Sequence, residues 1–285
     1  MRVRRPASQV VTPKSDPTGS IAISISQKLG VASIPVIASL AVAFGLFDMV
    51  DGVVFQSALI QIVINVFVIL TVSLIVVRIS AKSFLTTGSS NLLLLGLAVF
   101  EFGFSSTVGG FITGLNVDEG IEMYVLGALV SAFLHLSSGI LTYKGSPVRR
   151  TRLKLRLGFS YVSTTIFVLL IGFFVLNSSF LSSIGQFGSI VQRSVIATIV
   201  VTLLASSFFF SRVYSRTRSP VLYWYSLAVA TVSFAYFAFF TTQENGDLAT
   251  WTGIFGLCLS SVYFLKSVLS APKAISTGPG IGATR

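Results

Sequence analysis

From residue 31 onward the chain alternates between long apolar runs and short polar clusters. The runs are about 20 residues long, which is what an α-helix needs to cross about 30 Å of hydrocarbon. The pattern predicts spans at 31–50, 54–77, 90–113, 121–143, 157–177, 188–211, 219–241 and 250–269. Alternation with period two, the mark of a membrane barrel, is absent. The expected fold is all-α, a polytopic helical bundle with about eight transmembrane helices.

Composition agrees with that pattern. The 285 residues are 53% hydrophobic and only 10% charged, whereas a soluble domain carries about 25% charged residues. In a soluble chain the formal net charge of +11 would suggest nucleic acid; here the position of the charges gives a simpler account, and no specific nucleic-acid partner is expected. With the first segment placed inside, 19 of the 20 Lys and Arg fall on one side of the membrane, and Arg193 is the exception. The positive-inside rule then puts both termini in the cytoplasm. Asp48, Asp51, Asp118, Glu119, Glu122, Glu244 and Asp247 fall in or beside the opposite turns.

The spans divide the chain into five parts: a basic cytoplasmic tail at 1–30, a first membrane half at 31–143, a basic cytoplasmic loop at 144–156, a second half at 157–270 and a tail at 271–285. The opening "MRVRRPASQVVTPKSDPTGS" stays polar and reads as a tail able to touch anionic lipid, not as a signal peptide. The closing Gly- and Pro-rich stretch has the composition of a disordered end, and its "GPGIG" lacks the lysine of a phosphate loop. The loops on the acidic side are short, so a stimulus would be read within the bilayer or at its edge.

An ionisable group inside a span is a functional candidate, because inserting a charge at the centre costs at least ~2.5 kcal/mol. Glu101 in the third span and His135 in the fourth are two such groups. The spans are joined by the short turn "NVDEG", which brings the two residues to similar depth and makes a contact geometrically feasible. Ser105 lies four residues beyond Glu101, and Ser131 and Ser138 flank His135 at helical spacing, so each candidate sits on a polar stripe. The pair could tie helices together, respond to protons as a hydrogen-bonded or ion pair, or hold a ligand.

A second polar group is formed by Gln56, Gln61 and Asn65 on the second span; Gln61 and Asn65 are four apart and share a face. Gly109, Gly110 and Gly114 permit close helix approach, within the chain or in a homo-oligomer. Trp224 and Trp251 stand at span ends, where aromatic rings anchor to the membrane interface. Cys258 is the only cysteine and His135 the only histidine, so no intrachain disulfide forms and no ligand set for a metal or haem is recognisable. No nucleophile elbow surrounds the serine-rich patches, and no cofactor or enzymatic activity is expected.

The last two spans add a resemblance. Tyr223-Trp224-Tyr225-Ser226-Leu227, Trp251 and Tyr263-Phe264-Leu265, over about 50 residues, resemble the closing segment of multi-span membrane-associated sensor domains that precede PAS and histidine-kinase modules in archaeal and bacterial signalling proteins. The resemblance implies a sensory module with a cytoplasmic C-terminus and supplies no catalytic residues. Those proteins continue into output domains, whereas this sequence ends about 15 residues after its last span, so output is expected through a separate soluble partner at the cytoplasmic loops.

The leading expectation is a stand-alone sensory or signalling-associated module of the cell membrane, in contact with lipid and responding to a small ligand or to protonation. The alternatives are a small secondary transporter using Glu101, which lacks an acidic counterpart in the second half, and a structural subunit of a membrane complex.

Overall fold

The computed structural model describes residues 57–145, 151–178 and 182–270, together with Ser33, Val36, Ile37 and Ala43. Apart from those four residues the span expected at 31–50 lies outside the described residues, as do Gln56 and the tails at 1–30 and 271–285. The described part is all-helical, with seven helices long and apolar enough to cross a membrane. This is a multi-pass membrane architecture.

The first of the seven is built from three consecutive pieces: α1 (Ala58–Ile64), a π-helical segment (Asn65–Leu70) and α2 (Thr71–Thr87). The others are α3 (Ser90–Thr113), α4 (Val117–Lys144), α5 (Leu153–Asn177), α7 (Ile190–Thr217), α8 (Pro220–Thr241) and α9 (Leu248–Leu269), with a single short turn of helix, α6 (Ser182–Gly185), before α7. Local chemistry sets the ends. Asn116, Ser189 and Asp247 cap α4, α7 and α9 by accepting from the backbone N–H of Asp118, Gln192 and Thr250. Gly88 ends α2 at φ 72°, a left-handed conformation open to glycine at no steric cost.

Helix ends beside charged clusters differ from the sequence expectation: α4 starts at Val117 where 121 was expected, and α7 runs on to Thr217 where 211 was expected. The helix expected to stop at residue 77 runs on to Thr87, with Arg78 and Lys82 exposed while Ser73, Val76, Ser80 and Phe84 face inward. The basic cluster stops the hydrophobic span but not the helix. Likewise α5 starts at Leu153, so Lys154 and Arg156 belong to its first turn and not to a loop.

Burial grades the helices. In α3 and α8, 72% of the apolar window is buried against 17% in α5, which makes the first two the centre of the bundle and α5 its flank. The side chains of Phe159, Ile166, Leu170 and Phe173 on α5 point outward in a continuous apolar face, as lipid requires and water does not tolerate. The helix pairs in closest contact are α3 with α4, α8 with α9, α7 with α8 and α4 with α7. Although α5 opens the second sequence half, it packs against α2, α3 and α4 of the first.

Small residues allow α3 to sit at the centre. A Cβ on Gly103 would lie 2.2 Å from Ser73 Oγ, and one on Gly127 would lie 2.3 Å from Ser105 Oγ. We expect Gly103→Val to destabilise the bundle by about 1–3 kcal/mol through overpacking, read as a lowered thermal unfolding temperature in nanodiscs. Gly158 has nothing within 4 Å of its Cβ position, so Gly158→Ala should leave that temperature unchanged or raise it.

Candidate functional site

Glu101 is fully buried on α3, and neither carboxyl oxygen has a hydrogen-bond partner among the described residues. Around the helix it falls between the face of Phe100, which meets Tyr161 of α5, and the face of Ala98 and Ser105, which meets α4. Ser105 donates to the Phe102 carbonyl of its own helix at 3.3 Å, not to Glu101.

His135 has another partner. Its Nδ1 is 2.8 Å from the hydroxyl of Tyr225 on α8, and its ring stacks on Phe264 of α9 with centroids 5.8 Å apart and planes at 11°. Tyr225 in turn meets Phe264 and Phe210 edge-on, at 5.2 and 4.7 Å. The feasible contact between Glu101 and His135 is therefore not made. The serines that suggested it, Ser131 and Ser138, donate to the Ala98 and Asn91 carbonyls of α3 at 2.9 and 3.0 Å. They use the face that meets α3, while the imidazole reaches the second half of the chain.

The other polar group lies on a cavity. Gln61 and Asn65 line a space of about 90 Å³ at the acidic end of the bundle, enclosed by α1, the π segment, α3, α4, α7, α8, α9 and the turns before α7 and α9. Asn65 Nδ2 donates to the Tyr124 hydroxyl of α4, and Gln61 Nε2 donates to Asn245 Oδ1 at 3.4 Å, in the turn before α9. Gln192 contributes a fourth carboxamide and accepts from Gly188 N–H at 3.1 Å. Thr113, Thr250 and Tyr236 add hydroxyls, and Ile69, Ile196 and Leu257 supply apolar wall. The lining contains no charged side chain among the described residues.

A backbone feature positions the first two amides. Gln61, Asn65, Ile69 and Ser73 are all buried at four-residue intervals, a spacing that drifts about 40° per step around a regular α-helix. The wider π turns at Asn65–Leu70 keep this stripe on one face. Gly110 leaves room for the Asn65–Tyr124 pair, since a Cβ there would lie 2.9 Å from Asn65 Nδ2 and 3.1 Å from the Tyr124 hydroxyl. Gly109 packs against Tyr124 in the same way, so these glycines serve packing within the chain.

Sequence reasoning named Gln61 and Asn65 and missed Tyr124, Gln192 and Asn245. The available signal was depth: all three lie in or next to the first turns at the acidic end, on segments that the spans bring to one level. The anchoring role expected of Trp224 takes another form. Its ring is buried against Tyr223 and Tyr263, with Lys266 Nζ 4.3 Å from the ring centroid, so it packs within the bundle. Trp251 is half-buried at the start of α9. No group of three or more His, Cys, Asp and Glu residues able to hold a metal occurs among the described residues.

A double-mutant cycle tests the two environments. Tyr225→Phe and His135→Phe should each destabilise the bundle and show a coupling of about 0.6–2 kcal/mol, the range for an interhelical hydrogen bond in a membrane. Glu101→Gln and His135→Phe should be additive within about 0.5 kcal/mol. Both cycles are read from equilibrium unfolding.

No family model matches the chain, and no curated protein or solved structure matches it either.

Proposed function

We propose that the chain is a sensory module of the cell membrane, without catalytic activity of its own, in which a small ligand occupies the cavity at the acidic end and changes how the basic end is presented to a soluble partner. The cavity is the observation that carries this reading. Its walls come from both sequence halves, so an occupant touches elements whose opposite ends reach the basic side. His135, Tyr225, Phe210 and Phe264 form a packed aromatic layer below it, roughly 10 Å or more deeper at 1.5 Å per residue. At the basic ends of α4 and α7, Arg216 lies over the Tyr143 ring at 5.0 Å, a contact that a shift between these helices would alter.

The lining favours a receptor over a proton-coupled carrier. Proton paths through a membrane are marked by ionisable residues, and the lining contains no charged side chain among the described residues. Occupancy can shift the helices only if the ligand prefers one packing over the other.

The experiment is amide hydrogen exchange in nanodiscs before and after adding an organic extract of the source membranes. The expected result is altered exchange at 152–156 and 212–218 in the wild type and none in Asn65→Leu or Val125→Phe. Protection confined to the cavity walls would indicate binding without signalling, and would replace the sensory reading with a carrier or assembly role.

A further inference from the structure

We infer that the cavity recognises an uncharged group carrying both a hydrogen-bond donor and an acceptor, of the carboxamide or urea type, on a short apolar body. This deepens the ligand-responsive reading above and rests on it.

The argument starts from what the walls offer. Gln61, Asn65, Gln192 and Asn245 each combine two N–H donors with a carbonyl acceptor, and Tyr124 and Tyr236 add hydroxyls. The bonds among them use only part of this capacity: one N–H of Asn65 goes to Tyr124, one N–H of Gln61 goes to Asn245, and the Gln192 carbonyl accepts from Gly188. Both kinds of group therefore remain available at the cavity.

Charge narrows the class. An ion brought into this space would lose its hydration with no opposite charge in the lining, at a cost far above that of a neutral polar group. Asp247, in sequence between the lining residues Asn245 and Thr250, is committed to capping, accepting from Gln243, Glu244 and Thr250 N–H at 2.8, 3.3 and 2.6 Å. Glu122, Glu244 and Arg193 adjoin lining residues in sequence but do not line the space themselves. A purely apolar occupant is disfavoured for the opposite reason, because it would cut the carboxamides off from hydrogen-bonding partners.

Size and backbone narrow it further. At about 90 Å³ the space is smaller than the ~150 Å³ apolar cavity that takes benzene, which suits a head group of a few heavy atoms. Asn65 opens the π-helical segment, a departure from regular helix that recurs at functional sites. The backbone irregularity and the amide cluster coincide at this residue.

The test is fluorine NMR of the chain in nanodiscs with three size-matched probes, 3,3,3-trifluoropropanamide, 3,3,3-trifluoropropanoate and 4,4,4-trifluorobutylammonium, with xenon-129 as an apolar probe. The amide should bind saturably in the millimolar range expected of so small a ligand, and Asn65→Leu and Gln192→Leu should each weaken it by roughly five- to tenfold, the loss of one hydrogen bond. Ser233→Ala, away from the cavity, should leave it unchanged. Tighter binding of the carboxylate or the ammonium, or binding of xenon alone, would overturn the class and leave the ligand-responsive reading standing. Failure of every probe, with wild type and both leucine variants alike, would make this a water-filled space and overturn both.

Discussion

A hydroxyl in hydrocarbon has no water to bond, so a serine or threonine buried on these helices gains by finding an acceptor inside the protein, and the Ser206 hydroxyl is left without one among the described residues. Many donate to a carbonyl one turn back on their own helix, as Thr107, Thr231 and Ser261 do. A smaller set reaches across to a neighbouring helix: Ser131 and Ser138 from α4 to α3, Ser207 from α7 to α8, Ser233 back from α8 to α7, and Ser267 from α9 to α8. These contacts require backbones close enough for a two-atom side chain to span the gap. The glycines and serines along α3, α4 and α8 are the means, and they account for α3 and α8 lying deepest in the bundle.

The same constraint separates what the sequence could reveal from what it could not. Apolar run length is a property of each helix alone, and it located all seven described spans to within a few residues at most ends. The exceptions are ends where a charged residue was read as a stop: Arg78, Lys82, Asp118, Glu119, Lys154, Arg156, Arg212 and Arg216 mark the limit of the hydrocarbon, while backbone hydrogen bonding carries these helices past it. Partner choice is a property of pairs of helices. The spacing of Ser131, His135 and Ser138 correctly marks an inward face, but that face borders α3 on one side and α8 on the other. One-dimensional periodicity has no means of dividing it.

Gln61 and Asn65 were legible because two amides at helical spacing are conspicuous in an apolar run. Their partners were not, since Tyr124, Gln192 and Asn245 are spread over more than a hundred residues and are ordinary where they stand. Glu101 presents the converse. It is the most conspicuous residue in the sequence, and the structure gives it no hydrogen-bond partner among the described residues. Prominence in a hydropathy profile and participation in a polar network are therefore separate properties in this bundle.

The π-helical segment sets how this architecture can vary. Each wide turn accommodates a residue that a regular α-helix would not, so the segment behaves as an insertion absorbed into the helix without a loop. Removing one residue between Asn65 and Leu70 would restore an ordinary helix with the faces of α1 and α2 still in register, because the wide turns and the extra residue would go together. The change would be local to the stretch from Asn65 to Leu70, altering the place from which Asn65 meets Tyr124 while leaving the length and hydrophobicity of the span almost unchanged. A single-codon deletion could thus reshape one wall of the cavity in a lineage whose hydropathy profile would look the same.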